Sequence, residues 1–291
     1  MPSVLSLVDM FLSPLLMGLT GIALFGRASK QDGVPGLLFH SIYQEHPRFT
    51  LSSIPASRFK SIIRCLIEDD FIPVTISEAN GTGYHASLSP RPVLLTFDDG
   101  CRSFITHVLP LMEELKIKAT VFPISGYFGR SSTWDIMPAF THLTKSELRE
   151  ISSCGHEIGS HGVTHADLTF LGASDLAAEL NDSKKTLEDI TGKNVSAISF
   201  PYGSWNLRVW ERAQEAGYRC GTIYRKHCRA LPGLFPVYGV YSFDTPQTVF
   251  SRITARHPLS ASVACAKMMS HFAKGAPVWK FDKKYRVGGK R

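Results

Sequence analysis

The sequence predicts an α/β fold built on a parallel sheet. Short apolar runs typical of buried strands alternate with helical segments, as in the apolar run 93–95, helix 103–115 and strand 119–124. This order of strand, helix and strand favours parallel strands joined by right-handed crossovers. With 291 residues, 44% of them hydrophobic, the chain can form one large domain, and it shows no internal repeat or low-complexity tract.

The first part of the chain follows this rhythm. Residues 34–41 are expected to form the first strand, with the polar side chain of His40 near its end. Residues 57–70 carry apolar side chains at the spacing of an amphipathic helix, and residues 71–76 form the next strand. Residues 79–91, rich in Gly, Ser and Pro, are expected to form a surface loop.

Residues 92–100 carry the first chemical signal. An apolar strand ends there in two adjacent carboxylates, Asp98 and Asp99, followed by Gly100. Neighbouring side chains on a strand point in opposite directions, so both carboxylates share one site only if the chain turns, which glycine permits. Carboxylates held this close repel each other unless a cation, a proton or strong donors lie between them. We therefore expect a metal ion at this position.

Residues 155–165 supply two further candidate ligands. His161 and His165 are four residues apart, the spacing that places two imidazoles on one face of a helical turn. Two histidines and one carboxylate leave coordination positions open for water and substrate. Either motif alone is more often a turn or a solvated pair. Because both occur, each after a strand, they indicate a site for zinc or another divalent ion.

Three segments resemble the first three motifs of the polysaccharide deacetylases, the NodB-type carbohydrate esterases. They are Thr-Phe-Asp-Asp-Gly at 96–100, Ser-His-Gly-Val-Thr-His at 160–165 and Phe-Pro-Tyr-Gly at 200–203. The resemblance extends over about residues 36–256. It implies a distorted (β/α) barrel with fewer strands than the eight of a complete barrel, and we expect seven parallel strands. It also implies metal-dependent removal of N-acetyl or O-acetyl groups from sugars.

The resemblance assigns a role to each matched residue. It implies that Asp98 is the catalytic base, that Asp99, His161 and His165 bind the metal, and that the backbone N–H of Tyr202 helps to hold the oxyanion. Zinc is the expected cofactor, and Co²⁺, Ni²⁺ or Fe²⁺ suit the same ligands. The expected partner is an acetylated polysaccharide or sugar conjugate.

The sequence departs from the family pattern in two places. Many members carry an arginine two residues before the motif proline, where this chain has Ser199. The pKa of Asp98 must then be tuned by another group, unless the chain belongs to a subset without that arginine. The late Leu-x-x-His motif that supplies the general acid is not visible, and Asp244, His257 and His271 lack its context.

A different histidine is the candidate general acid. A subset of exopolysaccharide deacetylases opens with a strand followed by a histidine placed for this role. His40 stands in a similar element, so the resemblance implies the acid role for it.

The later elements continue the alternation of strands and helices. Thr144 opens a Thr-x-x-Glu capping box, so a helix is expected from there to Cys154. Further helices are expected at 174–190 and 206–216, and strands at 195–203, 220–224 and 234–243.

The deacetylase barrel, residues 34–258, is expected between an apolar segment, 1–30, and a basic extension, 259–291. No charged residue occurs from residue 10 to residue 26, and the length of this stretch is at the lower limit for a helix that spans a membrane. Basic residues follow the apolar segment, but none precedes it. The positive-inside tendency therefore favours membrane association with the catalytic domain on the cytoplasmic side. A helix packed on the barrel is the alternative, with a soluble cytoplasmic or an exported location.

The net charge of +7 and the basic tail suggest an anionic partner. Beside a membrane the tail could bind anionic headgroups. Nucleic acid is disfavoured, because no nucleic-acid-binding motif accompanies the charge.

Two other functions remain open from the sequence. One is removal of a formyl or acetyl group from a lipid-linked sugar, which the apolar segment and the basic tail would suit. The other is a carbohydrate-binding protein on a catalytically decayed barrel, suggested by Ser199 and the missing late histidine.

Overall fold

The computed structural model describes most of the chain between residues 33 and 254, namely residues 33–44, 52–81, 89–132, 140–224 and 231–254. The apolar segment 1–30 and the basic extension 259–291 lie outside these residues. None of the helices in the described ranges combines the length and the apolar character that crossing a bilayer requires.

The secondary structure alternates as predicted. The strands are β1 (Gly36–Phe39), β2 (Ser41–Tyr43), β3 (Ser53–Pro55), β4 (Phe71–Val74), β5 (Arg91–Phe97), β6 (Thr120–Val121), β7 (Glu157–Ile158), β8 (Ala197–Ser199), β9 (Cys220–Tyr224) and β10 (Leu234–Gly239). The α-helices are α1 (Ala56–Glu68), α2 (Ile76–Gly81), α3 (Leu109–Leu115), α4 (Lys145–Ser153), α5 (Ala173–Thr191), α6 (Leu207–Glu215) and α7 (Pro246–Ile253).

Seven strands form a nearly closed barrel in the order β7-β6-β5-β1-β10-β9-β8, and all neighbours in it are parallel. The two ends of this path meet at a parallel bridge between Ser160 and Ile198. There the Ser160 N–H donates to the Ala197 carbonyl and the Ser199 N–H donates to the Ser160 carbonyl, both at 2.9 Å. Off this path, β4 pairs with β5 in the same sheet, and β2 and β3 form a separate two-stranded sheet. The predicted barrel of seven parallel strands is confirmed.

Helix capping explains one predicted element boundary that was correct and one that was wrong. The capping box predicted at Thr144 is present, with Glu147 as its partner. The strand predicted over 71–76 instead ends at Val74, and α2 occupies part of the predicted loop. Here the Thr75 N–H donates to the Glu78 carboxylate at 2.7 Å, while the Glu78 N–H donates to the Thr75 hydroxyl at 3.3 Å. A second Thr-x-x-Glu sequence, not recognised as a signal, therefore starts a helix.

Alternation along the strands sorts side chains between the barrel interior and the outer layer of helices. On β5, Val93 and Leu95 belong to the large core under the helices, whereas Leu94 belongs to a smaller cluster inside the barrel. Because successive side chains on a strand face opposite ways, Asp98 continues the inward row that Leu94 begins. His40 likewise follows Phe39, which belongs to the outer core.

Helix α2 closes the N-terminal end of the barrel. Ile76 and Ala79 pack in the interior cluster. The Glu157 carboxylate accepts hydrogen bonds from the Ser77 N–H at 3.1 Å and from the Thr120 hydroxyl at 3.0 Å. One end of the barrel is thereby filled with side chains, and its polar groups are hydrogen-bonded. The polar residues that follow the strands lie at the other end.

We expect Leu95→Ala to lower the free energy of unfolding by about 2–5 kcal/mol, because it leaves a cavity under the helices. Leu207→Ala removes the same atoms from a side chain that is 60% exposed, so it should change this free energy by about 0.5 kcal/mol or less. Denaturant unfolding followed by circular dichroism measures both variants. Equal effects would contradict the placement of Leu95 in the core.

Candidate metal centre and active site

Two consecutive left-handed residues turn the chain at the end of β5. Asp99 has a φ of +66° and Gly100 a φ of +64°. A Cβ on Gly100 would also lie 2.7 Å from Pro123 Cβ, so only glycine fits. His142 Nδ1 donates a hydrogen bond to the Asp99 carbonyl at 2.7 Å, which holds the turn. The turn brings Asp98 and Asp99 to one site, as the sequence predicted.

Residues 161–165, here called the histidine loop, do not form the helical turn that their spacing suggested. Gly162 has a φ of +79° and His165 a φ of +61°. The loop bonds to the segment after β6 instead of to itself, because the His161 N–H donates to the Pro123 carbonyl at 3.1 Å and the Ser125 N–H donates to the Gly162 carbonyl at 3.0 Å. The prediction of a helix was wrong, but the two imidazole centroids still lie 5.0 Å apart.

The three predicted ligands converge. Asp99, His161 and His165 are all buried, and each offers one ligand atom within 4.8 Å of the other two. Oδ1 of Asp99 lies 3.4 Å from Nε2 of either histidine, yet this buried oxygen makes no hydrogen bond of ordinary geometry. His161 Nδ1 donates to the Ser199 carbonyl at 2.8 Å, which leaves the Nε2 lone pair for a metal. These residues fit a divalent cation.

The protonation states of Asp99 and His165 agree with a metal site. Burial lowers the pKa of His165 to about 3, so this imidazole is neutral near pH 7. Burial alone would raise the pKa of Asp99, but the close approach of His161 and the positive charges that His165 and His40 can carry outweigh it and hold the pKa below its ordinary value. A neutral imidazole and an ionised carboxylate are the protonation states that bind metals.

Asp98 lies beside the ligands but is held by a different contact. The Ser199 hydroxyl donates to Asp98 Oδ2 at 2.9 Å, while Asp98 Oδ1 is buried without a hydrogen-bond partner. Burial raises the pKa of Asp98, and the charges of His161 and His40 oppose this shift. Ser199 itself therefore contributes to tuning Asp98, where the sequence had suggested that another group was needed. A carboxylate with a raised pKa and a free oxygen is suited to accept a proton.

His40 stands at the same end of the barrel. The Asp98 N–H donates to the Phe39 carbonyl at 3.0 Å, so the ends of β1 and β5 are adjacent. A positive charge on His40 lowers the pKa of both Asp98 and Asp99. Its Nδ1 atom is buried without a hydrogen-bond partner. His40 therefore lies near the carboxylates, and its acid role stays a prediction.

Tyr202 also reaches the site, from the turn after β8. It has a φ of +59°, and its ring centroid lies 4.6 Å from that of His165. The oxyanion role of its backbone N–H stays a prediction.

Asp244, one of the three residues considered in place of the absent Leu-x-x-His motif, has a structural role. It is buried, pairs with Arg252, and accepts a hydrogen bond from the Tyr241 N–H at 2.9 Å. His257 and His271 lie outside the described residues.

Two further residues that contact the site were missed by sequence reasoning. His142, which holds the Asp99 carbonyl, gave no signal, since an isolated bridge to Cys101 brings it there from a distant segment. Glu179 on α5 contacts the histidine loop. It had a signal, because it lies three residues after Leu176, on the stripe of α5 that packs on the barrel.

Comparison with known proteins agrees with this geometry. The family model for polysaccharide deacetylases matches residues 85–221. YxkH of Bacillus subtilis, whose name assigns it to the polysaccharide deacetylases, is 26% identical over 196 residues, covering 67% of this chain and 66% of that protein. A poly-beta-1,6-N-acetyl-D-glucosamine N-deacetylase of Staphylococcus aureus is 25% identical over 178 residues, covering 58% of this chain and 60% of that protein. The chain thus spans less than two thirds of these relatives.

A solved structure shares the fold. A polysaccharide deacetylase from Bacillus cereus superposes with a TM-score of 0.62 at 24% identity, covering 76% of this chain and 68% of that chain.

We expect the wild-type chain, after chelation and dialysis, to bind a stoichiometric divalent ion, and His161→Ala to lose this binding. Asp98→Asn should retain it, because Asp98 is outside the ligand set and asparagine keeps its size. His107→Ala, which removes a histidine from the π-helical turn before α3, is the matched control and should bind like the wild type. Titration calorimetry with Zn²⁺ measures all four proteins. Undiminished binding by His161→Ala would contradict the ligand assignment.

Proposed function

This chain belongs to the polysaccharide deacetylase family, and from that premise we propose that it is a metal-dependent hydrolase that removes acetyl groups from a polysaccharide or sugar conjugate. The observation that carries the proposal is the buried set of Asp99, His161 and His165 with Asp98 beside it. Polymers of N-acetylglucosamine are the first candidate substrates, because the Staphylococcus relative is named for one.

The ligand set defines what the metal contributes. A divalent ion held by Asp99, His161 and His165 would supply a water of lowered pKa and polarise the acetyl carbonyl. Zinc is the first candidate for two nitrogens and one carboxylate, and Co²⁺, Ni²⁺ and Fe²⁺ suit the same donors.

Asp98 acts as the general base. Its Oδ1 has no hydrogen bond and can accept the proton of the attacking water, while the Ser199 hydroxyl fixes the carboxylate through Oδ2. The raised pKa makes Asp98 a stronger base than a solvated carboxylate. Because the site is buried, these contacts orient the carboxylate before substrate binds.

Two residues complete the proposed reaction. The backbone N–H of Tyr202 donates to the carbonyl oxygen as negative charge develops on it. His40 donates a proton to the leaving amine, without which cleavage of the C–N bond is slow. The adjacency of β1 and β5 supports this role for His40.

A second candidate substrate is a lipid-linked sugar that carries an acetyl or formyl group. The apolar segment 1–30 and the basic extension 259–291 favour it, as they favour association with a membrane surface and a catalytic domain on the cytoplasmic side.

The test is release of acetate and formate from acetylated glucosamine oligomers and lipid-linked sugars, by the chelated protein before and after Zn²⁺ is added. We expect release only with metal, and the substrate that reacts distinguishes a free glycan from a lipid-linked one. Glycan binding without release, despite bound metal, would instead support a carbohydrate-binding protein on a decayed barrel.

We expect Asp98→Asn to lower kcat by a factor of about 10²–10⁴, because the amide cannot take the proton. Asp182→Asn makes the same change on the exposed face of α5 and should leave kcat unchanged. Initial rates of acetate release at saturating substrate, with metal content measured in each preparation, give the comparison. Full turnover by metal-loaded Asp98→Asn would refute the assignment of the base.

A further inference from the structure

We propose that Glu179 is a positioning residue that holds the histidine loop in its metal-binding conformation. The inference rests on the proposed metal site and extends it to a residue on α5 that is not a candidate ligand. Glu179 is only 7% exposed, which is unusual for a carboxylate unless hydrogen bonds compensate for burial.

The Glu179 carboxylate accepts three hydrogen bonds from the histidine loop. Its Oε2 accepts hydrogen bonds from the Val163 N–H at 2.7 Å and from the Thr164 N–H at 3.2 Å. Its Oε1 accepts a hydrogen bond from the Thr164 hydroxyl at 2.5 Å. These three donors lie between the two histidine ligands in sequence.

The opposite side of the loop is held by the segment after β6. The Ser125 N–H donates to the Gly162 carbonyl and the Gly126 N–H donates to the Val163 carbonyl, both at 3.0 Å. A Cβ on Gly126 would lie 2.4 Å from the Val163 oxygen, so the close approach requires glycine there. The loop is thus held between two segments, its carbonyls facing one and its N–H groups facing Glu179.

The loop conformation needs this support because it is intrinsically unfavourable. His165 has a φ of +61°, a region that a residue other than glycine adopts only where the surrounding structure enforces it. The Gly162 N–H is also held, by the Ser160 hydroxyl at 3.2 Å, and that hydroxyl donates to Ser183 at 2.8 Å. Ser183 lies one turn after Glu179 on α5, so one helix supports the loop at two points.

Loss of the Glu179 carboxylate should therefore lower the affinity of the site for a metal ion. Without Glu179, two backbone N–H groups lose their acceptor, and the φ of His165 is no longer enforced from the α5 side. The two imidazoles would then sample positions in which their Nε2 atoms do not converge on Asp99. Partners that orient metal ligands typically contribute about 10–100-fold to metal affinity.

The experiment compares the wild-type chain with Glu179→Gln and Glu179→Ala. Co²⁺ affinity is measured by competition with a chelator, the visible absorption of bound Co²⁺ reports ligand geometry, and thermal unfolding of the metal-free proteins reports stability. We expect about 10-fold weaker Co²⁺ binding for Glu179→Gln, which keeps one acceptor oxygen, and about 100-fold for Glu179→Ala, with a changed spectrum.

Glu188→Gln is the matched control. Glu188 lies on the same helix and accepts a hydrogen bond from the Val195 N–H at 3.0 Å, but it does not contact the histidine loop. We expect it to bind Co²⁺ with wild-type affinity and spectrum, even if it unfolds at a lower temperature. This separates positioning of the loop from a general loss of stability.

Wild-type affinity and spectrum in Glu179→Gln would overturn the inference, as would an equal loss of affinity in Glu188→Gln. If Glu179→Ala fails to fold, Glu179→Gln alone decides between these outcomes. Failure of the wild type to bind Co²⁺ would overturn the metal site itself, and this inference with it. The two failures are therefore distinguishable.

Discussion

The burial of two adjacent carboxylates at the end of β5 is the constraint on which the site depends. Asp98 and Asp99 are 4% and 6% exposed, so each needs a compensating contact. The compensation is divided: Ser199 contacts Asp98, and two imidazoles contact Asp99. This division shifts the pKa values of two identical side chains in opposite directions, as the different roles proposed for them require.

Two features of the barrel produce this division of contacts: side chains alternate between the two faces of each strand, and the ring of strands closes. No single sequence motif produces it. Residues that follow the strands on the inward rows meet at one end, while Glu157 and α2 fill the other. The groups that hold the ligands come from segments far apart in sequence, namely the loop before α4, the segment after β6, α5 and β8. The candidate site residues are few, but their arrangement depends on contacts from most of the domain.

The sequence was sufficient for the features that depend on local pattern. The capping box at Thr144 and the turn at Gly100 were predicted correctly from local pattern, and the seven parallel strands were predicted correctly from the family resemblance. The three predicted ligands lie together as expected, and their binding of a metal stays a prediction. The spacing of His161 and His165 gave a wrong prediction of a helical turn. The same spacing is compatible with a loop whose backbone forms hydrogen bonds to another segment. The contacts of His142 and Glu179 were beyond local reasoning, since they depend on tertiary approach, although the periodicity of α5 marked Glu179 as buried.

The barrel closes at the bridge between Ser160 and Ile198, and this closure has a thermodynamic consequence. His161 directly follows one side of the bridge and Ser199 the other, so the hydrogen bond between them exists only when the ring of strands is complete. An open barrel, such as a partly folded chain, lacks the oriented ligand. A divalent ion bound at the proposed site would therefore favour the closed barrel by mass action. Metal binding and closure of the barrel would then be coupled equilibria.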